Sequence, residues 1–293
     1  MLHQVTEAED GMLLRTLLRS VMQVSYTALK SARWNGRITV DGNPRRVDQP
    51  VRCGEVVELT LRRETPAYPI QPWDYPLRLL YRDDFLLVAE KPGGVPSTSG
   101  QHQGVMTMEN ALFSALGCPE GWIYRPVNRL DKGTGGLMTV ALDGHTQQLL
   151  QAMLHTEDFR REYLAVTEGT PPMEAGVIDL PIALAGPTGV KRRVDPAGKP
   201  SVTHYQVLQK SRERCLVRLR LETGRTHQIR VHLAHLGCPI YGDYLYGRER
   251  PDWPGRFALH SAEITLRHPI TGELLHFASP LPEDMAGLVF SDC

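Results

Sequence analysis

One glycine-rich segment holds the residue types that nucleophilic chemistry needs. Residues 125–138 read Arg-Pro-Val-Asn-Arg-Leu-Asp-Lys-Gly-Thr-Gly-Gly-Leu-Met, which places Asp131 between Arg129 and Lys132 and just before a run rich in glycine. Neighbouring cations favour the ionised form of a carboxyl group, and glycines let the backbone come close to a ligand. Asp131 could therefore serve as a nucleophile. The structural alternative is a turn with an N-capping aspartate and a local ion pair, because Asp and Gly are common in turns.

A second segment could bring a cation and apolar side chains to the same place. Residues 216–222 alternate between apolar and polar types, which predicts a half-buried strand with a basic outer face. After Arg225 the apolar spacing becomes helical, with Ile229, Leu233 and Leu236 in phase. Arg225 is thus predicted at a strand-to-helix junction, where side chains can converge on a cleft.

Three histidines of the predicted helix could suggest a metal site. They are His227, His232 and His235. Their spacings of five and three residues do not put all three on one helix face, and no Cys or acid completes a ligand set nearby. We therefore expect no metal.

At least two domains are needed to position these segments in a chain of 293 residues. Two helices with a break near Val24 and a small sheet are predicted in the first sixty residues. Prolines crowd residues 65–76, which marks a linker, and residues 85–89 read as a buried strand. We predict domains over 1–64 and 77–293, and an α+β fold with a substantial antiparallel or mixed sheet.

Composition indicates a globular protein of a reducing compartment. Hydrophobic residues make up 41% of the chain and charged residues 23%, which excludes disordered, collagen-like and coiled-coil classes. The five cysteines are scattered without a Cys-x-x-Cys pair, which argues against a disulfide framework or a zinc ribbon. The N-terminus lacks a signal-peptide pattern and no long apolar run occurs, so we expect a cytoplasmic protein that spans no membrane.

A net charge of zero conceals two basic regions. Residues 11–63 contain ten Lys and Arg against four acids, and residues 187–230 contain eleven against three. Such regions can contact phosphates, because distant charges are screened while near ones are not. Solubilising charge on exposed faces would explain them equally well.

The glycine-rich segment around Asp131 resembles the signature of a known enzyme family. Asn-Arg-Leu-Asp-Lys-Gly-Thr-Gly-Gly-Leu (128–137) is similar to His-Arg-Leu-Asp-x-x-Thr-Ser-Gly-Leu of the RluA-type pseudouridine synthases. Residues 35–42 and 51–55 resemble, more weakly, the S-four RNA-binding domain that often precedes this catalytic domain. Further segments match the synthase family in its own order: 80–94, 161–166, 224–232, 239–247 and 259–261.

The resemblance implies a pseudouridine synthase fold, with a mixed, mostly antiparallel central sheet behind a small α+β S-four-like domain. It implies that uridine in ribosomal or transfer RNA is detached, rotated and rejoined through carbon five, without cofactor or metal. Asp131 would attack either the sugar or the base, Tyr163 would stack on the base and help to remove its carbon-five proton, and Arg225 would pair with the carboxylate. For substrate binding the resemblance implies Arg129, Ile229, Asn128 and Thr134. We expect a monomer.

Two positions depart from the family pattern, and two other functions stay open. Asn128 stands where the family usually has His, and Gly135 where it usually has Ser. A non-catalytic RNA-binding factor in ribosome assembly could use the same basic surfaces. A glycoside or nucleoside hydrolase could use Asp131 as a nucleophile, although that chemistry usually needs a second carboxylate. Beyond residues 80–94, the further motif segments offer only Glu162 and Asp243 for that role, and both are expected to face elsewhere.

Overall fold

A computed structural model describes residues 1–22, 24, 29, 32, 37–60, 66–98, 104–186 and 189–290. The chain divides into two compact units, Met1–Ala67 and Tyr68–Cys293. This division falls within the stretch predicted as a linker. The predicted boundary between residues 64 and 65 lies outside the described residues, as do most of the second N-terminal helix and residues 35–36 of the S-four resemblance.

The first unit is a small sheet with a helix beside it. The chain order of its strands is β1 (Leu2–Gln4), β2 (Arg37–Val40), β3 (Asn43–Pro44) and β4 (Val56–Thr60), and their order in the sheet is β1-β4-β2-β3. A short 3-10 helix (Glu7–Glu9) precedes helix α1 (Leu14–Thr16), which continues as a π-helical stretch (Leu17–Val21). Val40 of β2 and Val57 of β4 are buried in one cluster with Leu14, Leu17 and Leu18, and burial alternates along β4. The predicted turn at Asp41-Gly42 joins β2 to β3.

The second unit contains one large sheet and one small, two-stranded sheet. Its strands are β5 (Leu79–Arg82), β6 (Leu86–Lys91), β7 (Arg125–Pro126), β8 (Gly135–Ala141), β9 (Phe159–Glu168), β10 (Ala175–Asp179), β11 (Ile182–Leu184), β12 (Arg192–Val194), β13 (Val202–Lys210), β14 (Arg214–Leu221), β15 (Leu259–Arg267) and β16 (Leu274–Ala278). The large sheet runs β10-β13-β14-β9-β15-β8-β6-β5, with β16 on β15 and β7 on β8, and β11 pairs with β12 in the small sheet. In the described residues only β15 and β8 pair in parallel, which confirms a mixed, mostly antiparallel sheet.

Within the described part of this unit, four helices pack beside the large sheet: α2 (Met108–Ala115), α3 (Gly144–Met153), α4 (Gln228–His235) and α5 (Glu283–Phe290). The predicted change from strand to helix after Arg225 is confirmed by β14 and α4, and the predicted strand at 85–89 by β6. The register of β9 places Tyr163 between Leu219 of β14 and Ser261 of β15. Because side chains alternate along a strand, Arg161 and Tyr163 share one face of β9.

Candidate active site

Asp131 lies in the loop before β8, and this loop is anchored on both sides of it. On one side, the Ser97 hydroxyl donates to the Leu130 carbonyl at 2.6 Å and accepts from the Leu130 N–H at 3.0 Å. On the other, the Gly94 N–H donates to the Lys132 carbonyl at 2.8 Å. The backbone that carries Asp131 is thereby fixed before any substrate arrives.

Lys91, at the end of β6, is fully buried behind the same loop. Its ammonium donates to the carbonyl oxygens of Pro92, Val95 and Lys132, at 2.9, 2.6 and 3.1 Å. Burial lowers the pKa of Lys91 to about 7, while the negative charge of Asp131 opposes that shift. Lys91 therefore ties the turn after β6 to the Asp131 loop.

Arg230 of α4 is the guanidinium that holds the Asp131 carboxylate. Its Nη1 donates to Asp131 Oδ2 at 2.9 Å, and its Nε and Nη2 donate to both oxygens of buried Asp243 at 2.7 and 2.8 Å. The guanidinium also lies 4.2 Å from the centre of the Phe257 ring and 5.0 Å from that of Tyr246. Arg230 is only 2% exposed, and the bidentate bond with Asp243 fixes its orientation.

The two carboxylates overcome the cost of burying Arg230. Burial alone would lower the pKa of Arg230, but the hydrogen bonds and charge of Asp243, and then those of Asp131, raise it overall. The guanidinium is therefore always charged. Asp131 keeps 27% of its side chain exposed and so remains open to a ligand.

The carboxylate faces a cavity of about 520 Å³ with one aromatic and one aliphatic wall. Tyr163 of β9 and Ile229 of α4 line it, and both are largely buried. Burial raises the pKa of the Tyr163 phenol, whereas the charge of Arg161 acts in the opposite direction. A carboxylate beside one aromatic and one aliphatic surface suits a planar ring ligand that is attacked at one atom.

His227 is the second basic side chain near Asp131. Its Nε2 lies 3.8 Å from Asp131 Oδ2, and its Nδ1 is 2.8 Å from the Tyr246 hydroxyl, which accepts a hydrogen bond from the Arg192 N–H. His227 has φ +60°, a left-handed conformation immediately before α4. Burial, and then the charge of Arg230, lower the pKa of its imidazole, while Asp131 raises it. A lowered pKa favours a neutral imidazole at this place.

Comparisons with known proteins identify the family of this chain. The family model described as RNA pseudouridylate synthase matches residues 85–235. Ribosomal large subunit pseudouridine synthase D of Xanthomonas campestris is 36% identical over 283 residues, which cover 90% of this chain and 84% of that protein. The chain belongs to the RNA pseudouridylate synthase family. It is an RNA pseudouridine synthase, as the RluA-type resemblance predicted, and RNA is its partner.

Further relatives of this synthase agree in sequence and in fold. Ribosomal large subunit pseudouridine synthase D of Vibrio cholerae is 36% identical and covers 99% of this chain and 96% of that protein. The solved structure of human RNA Pseudouridylate Synthase Domain Containing 1 is 26% identical with a TM-score of 0.59, and it covers 70% of this chain and 83% of that chain. The pseudouridine synthase fold predicted from the motifs is confirmed.

The prediction that Arg225 of the synthase pairs with the catalytic carboxylate is wrong. Arg225 is exposed before α4, and its Nε donates to the Pro200 carbonyl at 3.2 Å. Arg230 takes the predicted role because it lies on α4 itself, on the side that meets the Asp131 loop. Arg225 still lines the cavity of the synthase.

The other predicted substrate-binding residues all line the cavity of the synthase, but they differ in exposure. Arg129 is exposed at its edge. Asn128 is buried, and its Oδ1 accepts a hydrogen bond from the Thr139 N–H at 2.9 Å, so part of its role is structural. Buried Thr134 closes the turn of the loop, since its N–H donates to the Asp131 carbonyl at 3.1 Å.

Sequence reasoning about this synthase missed three residues outside segment 128–137. Lys91 and Arg230 contact the Asp131 loop, and Asp243 fixes Arg230. Glu162 does face elsewhere, 3.7 Å from Arg218, and Asp243 stays behind the cavity wall. The matched motif containing Asp243 held an acid without an assigned role, which was the available signal for a partner of Arg230. Among the described residues no group of three His, Cys, Asp or Glu could hold a metal ion, and no helix is long and apolar enough to cross a bilayer.

Proposed function

We propose that this synthase converts uridines of large-subunit ribosomal RNA into pseudouridine, with Asp131 as the nucleophile. Relatives named ribosomal large subunit pseudouridine synthase D match along most of both chains, which supports this substrate. We further propose that the enzyme works as a monomer in the cytoplasm, where bacterial ribosomes assemble.

The observation that carries the proposal is the pairing of Asp131 with Arg230 at the wall of the cavity. A buried, permanently charged guanidinium donates a 2.9 Å hydrogen bond to this carboxylate and places a positive charge beside it. The same bond leaves part of the carboxylate facing the cavity. A fixed anion beside the sugar or the base of a bound uridine is what the bond-breaking step requires.

The reaction rearranges one nucleotide without adding an atom. The bond between the sugar anomeric carbon and base nitrogen one breaks, the base rotates, and a bond to carbon five forms. Carbon five loses its proton and nitrogen one gains one. The uracil must leave its stack to enter the cavity, which costs a few kcal/mol that new apolar contacts offset.

Tyr163 and Ile229 are the surfaces that we assign to the extruded base. Both are largely buried and line the cavity, so that they offer apolar contact without further ordering. The raised pKa of the Tyr163 phenol disfavours a phenolate. We therefore assign Tyr163 chiefly to packing on the base.

The first unit offers a basic groove that we propose to bind RNA as an S-four-like domain does. A cavity of about 930 Å³ in this unit is lined by Arg15, Arg37, Arg45 and Arg46, among others. Arg45 and Arg46 are paired with Glu55 and Asp48, so part of this charge is already neutralised. The remaining basic surface suits phosphates, which supply most of the affinity of proteins for RNA.

Mapping of pseudouridine in cellular RNA tests both the substrate and the nucleophile. Cells that lack the gene should lose specific pseudouridines of large-subunit ribosomal RNA. The wild type and the control Asp84→Asn, an exposed acid outside the site, should restore them, and Asp131→Asn should not. Loss at transfer RNA positions instead would refute the substrate, and restoration by Asp131→Asn would refute the nucleophile.

A further inference from the structure

Arg161 is a buried guanidinium without a carboxylate. It is 5% exposed, lies two residues before Tyr163 on the same face of β9, and lines the catalytic cavity. Its Nη2 donates to the Leu154 carbonyl at 3.2 Å, and its Nε is buried without a hydrogen-bond partner. Across the described residues no carboxylate oxygen lies within 4.0 Å of its nitrogens. Buried charges are usually paired, so this one calls for an anion.

Two further basic side chains gather at the same end of the cavity. A Cβ atom placed on Gly224 would lie 3.3 Å from Cε1 of His155 and 3.6 Å from Nη1 of Arg161. Arg225 follows Gly224 directly, lines the cavity and makes no ion pair within the described part of the chain. The pKa of His155 is lowered by burial and then by the charges of Arg161 and Arg225, as expected where cations are close.

A packing role alone does not account for this cluster. Arg161 lies 6.0 Å from the centre of the Phe159 ring, and its bond to Leu154 uses only one of its five donors. If Arg161 served only for packing, an apolar side chain of similar size could fill the same space. No buried hydrogen-bond donor would then lack a partner. Arg161 differs in this respect from Arg230, whose guanidinium is paired with the carboxylates of both Asp131 and Asp243.

We propose that Arg161 and Arg225, with His155 at the rim, bind a phosphate group attached to the uridine that enters the cavity. This subsite rests on the proposed function. Arg161 and Tyr163 are two residues apart, or about 6.6 Å along the strand, so a base against Tyr163 would place its own backbone phosphate near Arg161. Guanidinium groups suit a phosphate because their parallel donors match its oxygens.

Inhibition by small uridine compounds tests the subsite in the full-length enzyme. Uridine, uridine 5′-monophosphate, uridine 3′-monophosphate and inorganic phosphate would each compete with RNA during pseudouridine formation. For the wild type, one of the two nucleotides should inhibit at least about tenfold better than uridine, as a charge-assisted contact predicts. In Arg161→Gln that preference should fall to about twofold or less.

Arg160→Gln is the matched control. Arg160 is the neighbouring exposed residue of β9 on the opposite face, so this change removes the same charge without touching the cavity. It should keep the nucleotide preference. If Arg161→Gln does not fold, the exposed Arg225→Gln still tests the subsite, because it should reduce the preference by about threefold or more.

A parallel measurement follows RNA affinity against salt. Arg161→Gln should flatten the slope of log affinity against log salt by about 0.7–0.9, the value for one lost phosphate contact, relative to Arg160→Gln. The proposal is overturned if the wild type does not prefer a nucleotide, if Arg161→Gln and Arg225→Gln retain the preference, or if inorganic phosphate inhibits as well as the nucleotide. These outcomes do not depend on Asp131, so they are distinct from failure of the proposed nucleophile.

Discussion

Asp131 and Arg230 lie 99 residues apart in the chain, and Arg230 Nη1 donates to Asp131 Oδ2 at 2.9 Å. Asp243 binds the other edge of the same guanidinium, so Arg230 cannot turn away from the cavity. Arg230 thus fixes the Asp131 carboxylate, and Asp243 fixes Arg230. The Asp131 carboxylate remains partly exposed, and each charge of Asp131, Arg230 and Asp243 has an oppositely charged partner.

Arg230→Gln and Arg225→Gln should separate the counter-ion from a binding residue. Loss of Arg230 removes the cation that is hydrogen-bonded to the Asp131 carboxylate and fixes its position, and we expect kcat to fall by about 10²-fold or more. Loss of exposed Arg225 should raise KM by about threefold or more and leave kcat within about threefold. Steady-state kinetics on one RNA, with circular dichroism to verify folding, measures both variants. Equal losses of kcat in the two variants would restore Arg225 as the counter-ion.

Stability should depend on pH through Lys91. Its pKa in the folded protein is about 7 against an ordinary value of 10.5. Between these values the unfolded chain holds a proton that the folded one releases, so the free energy of unfolding rises with pH, at most by about 1.4 kcal/mol per unit. Urea unfolding of the wild type and Lys91→Met from pH 7 to 9 should show the difference between them growing in favour of the wild type. A constant or shrinking difference would contradict a lowered pKa.

Two adjacent glycines should differ strongly in how much stability the protein loses when each is substituted. Gly136 has φ +101°, and a Cβ atom there would lie 2.3 Å from the Ser261 carbonyl oxygen, so Gly136→Ala should cost at least about 3 kcal/mol of unfolding free energy. At Gly135 a Cβ atom would lie 3.4 Å from the Gly93 nitrogen and 3.5 Å from His260 Nδ1.

Gly135→Ser, which introduces the family's usual residue, should therefore change stability by less than about 1 kcal/mol and leave the enzyme active. Chemical denaturation of both variants checks the pair. A severe loss in Gly135→Ser would show that this loop of the protein has diverged from the family's packing.

The position of Asp131 in the candidate site was predictable, because one short segment contains both this carboxylate and the cations and glycines around it. The family resemblance assigns Asp131, Tyr163 and Ile229 to one uridine site, and the structure brings all three to the same cavity. The counter-ion was not predictable in this way, because Arg225 and Arg230 share one motif and only the path of the chain into α4 decides which one meets the loop.

In the fold, too, features that depend on local sequence were predictable and features that depend on distant contacts were not. Alternation along β14 and the helical spacing after it gave correct elements, since these depend on residues near in sequence. The parallel pairing of β15 with β8 depends on contacts more than a hundred residues apart, which no local pattern contains. Likewise Lys91 looks like part of a surface turn, and only the tertiary contact with the Lys132 carbonyl shows its role.

A single-turnover assay of Asp131→Asn tests the central claim most directly. Excess enzyme would be mixed with large-subunit ribosomal RNA, and pseudouridine formation and RNA binding would be followed in the same samples. We predict RNA affinity within about threefold of the wild type and conversion slower by at least about 10³-fold, because the amide keeps the shape but not the nucleophile. Conversion within about tenfold of the wild type, with the RNA bound, would contradict Asp131 as the group that performs the chemistry.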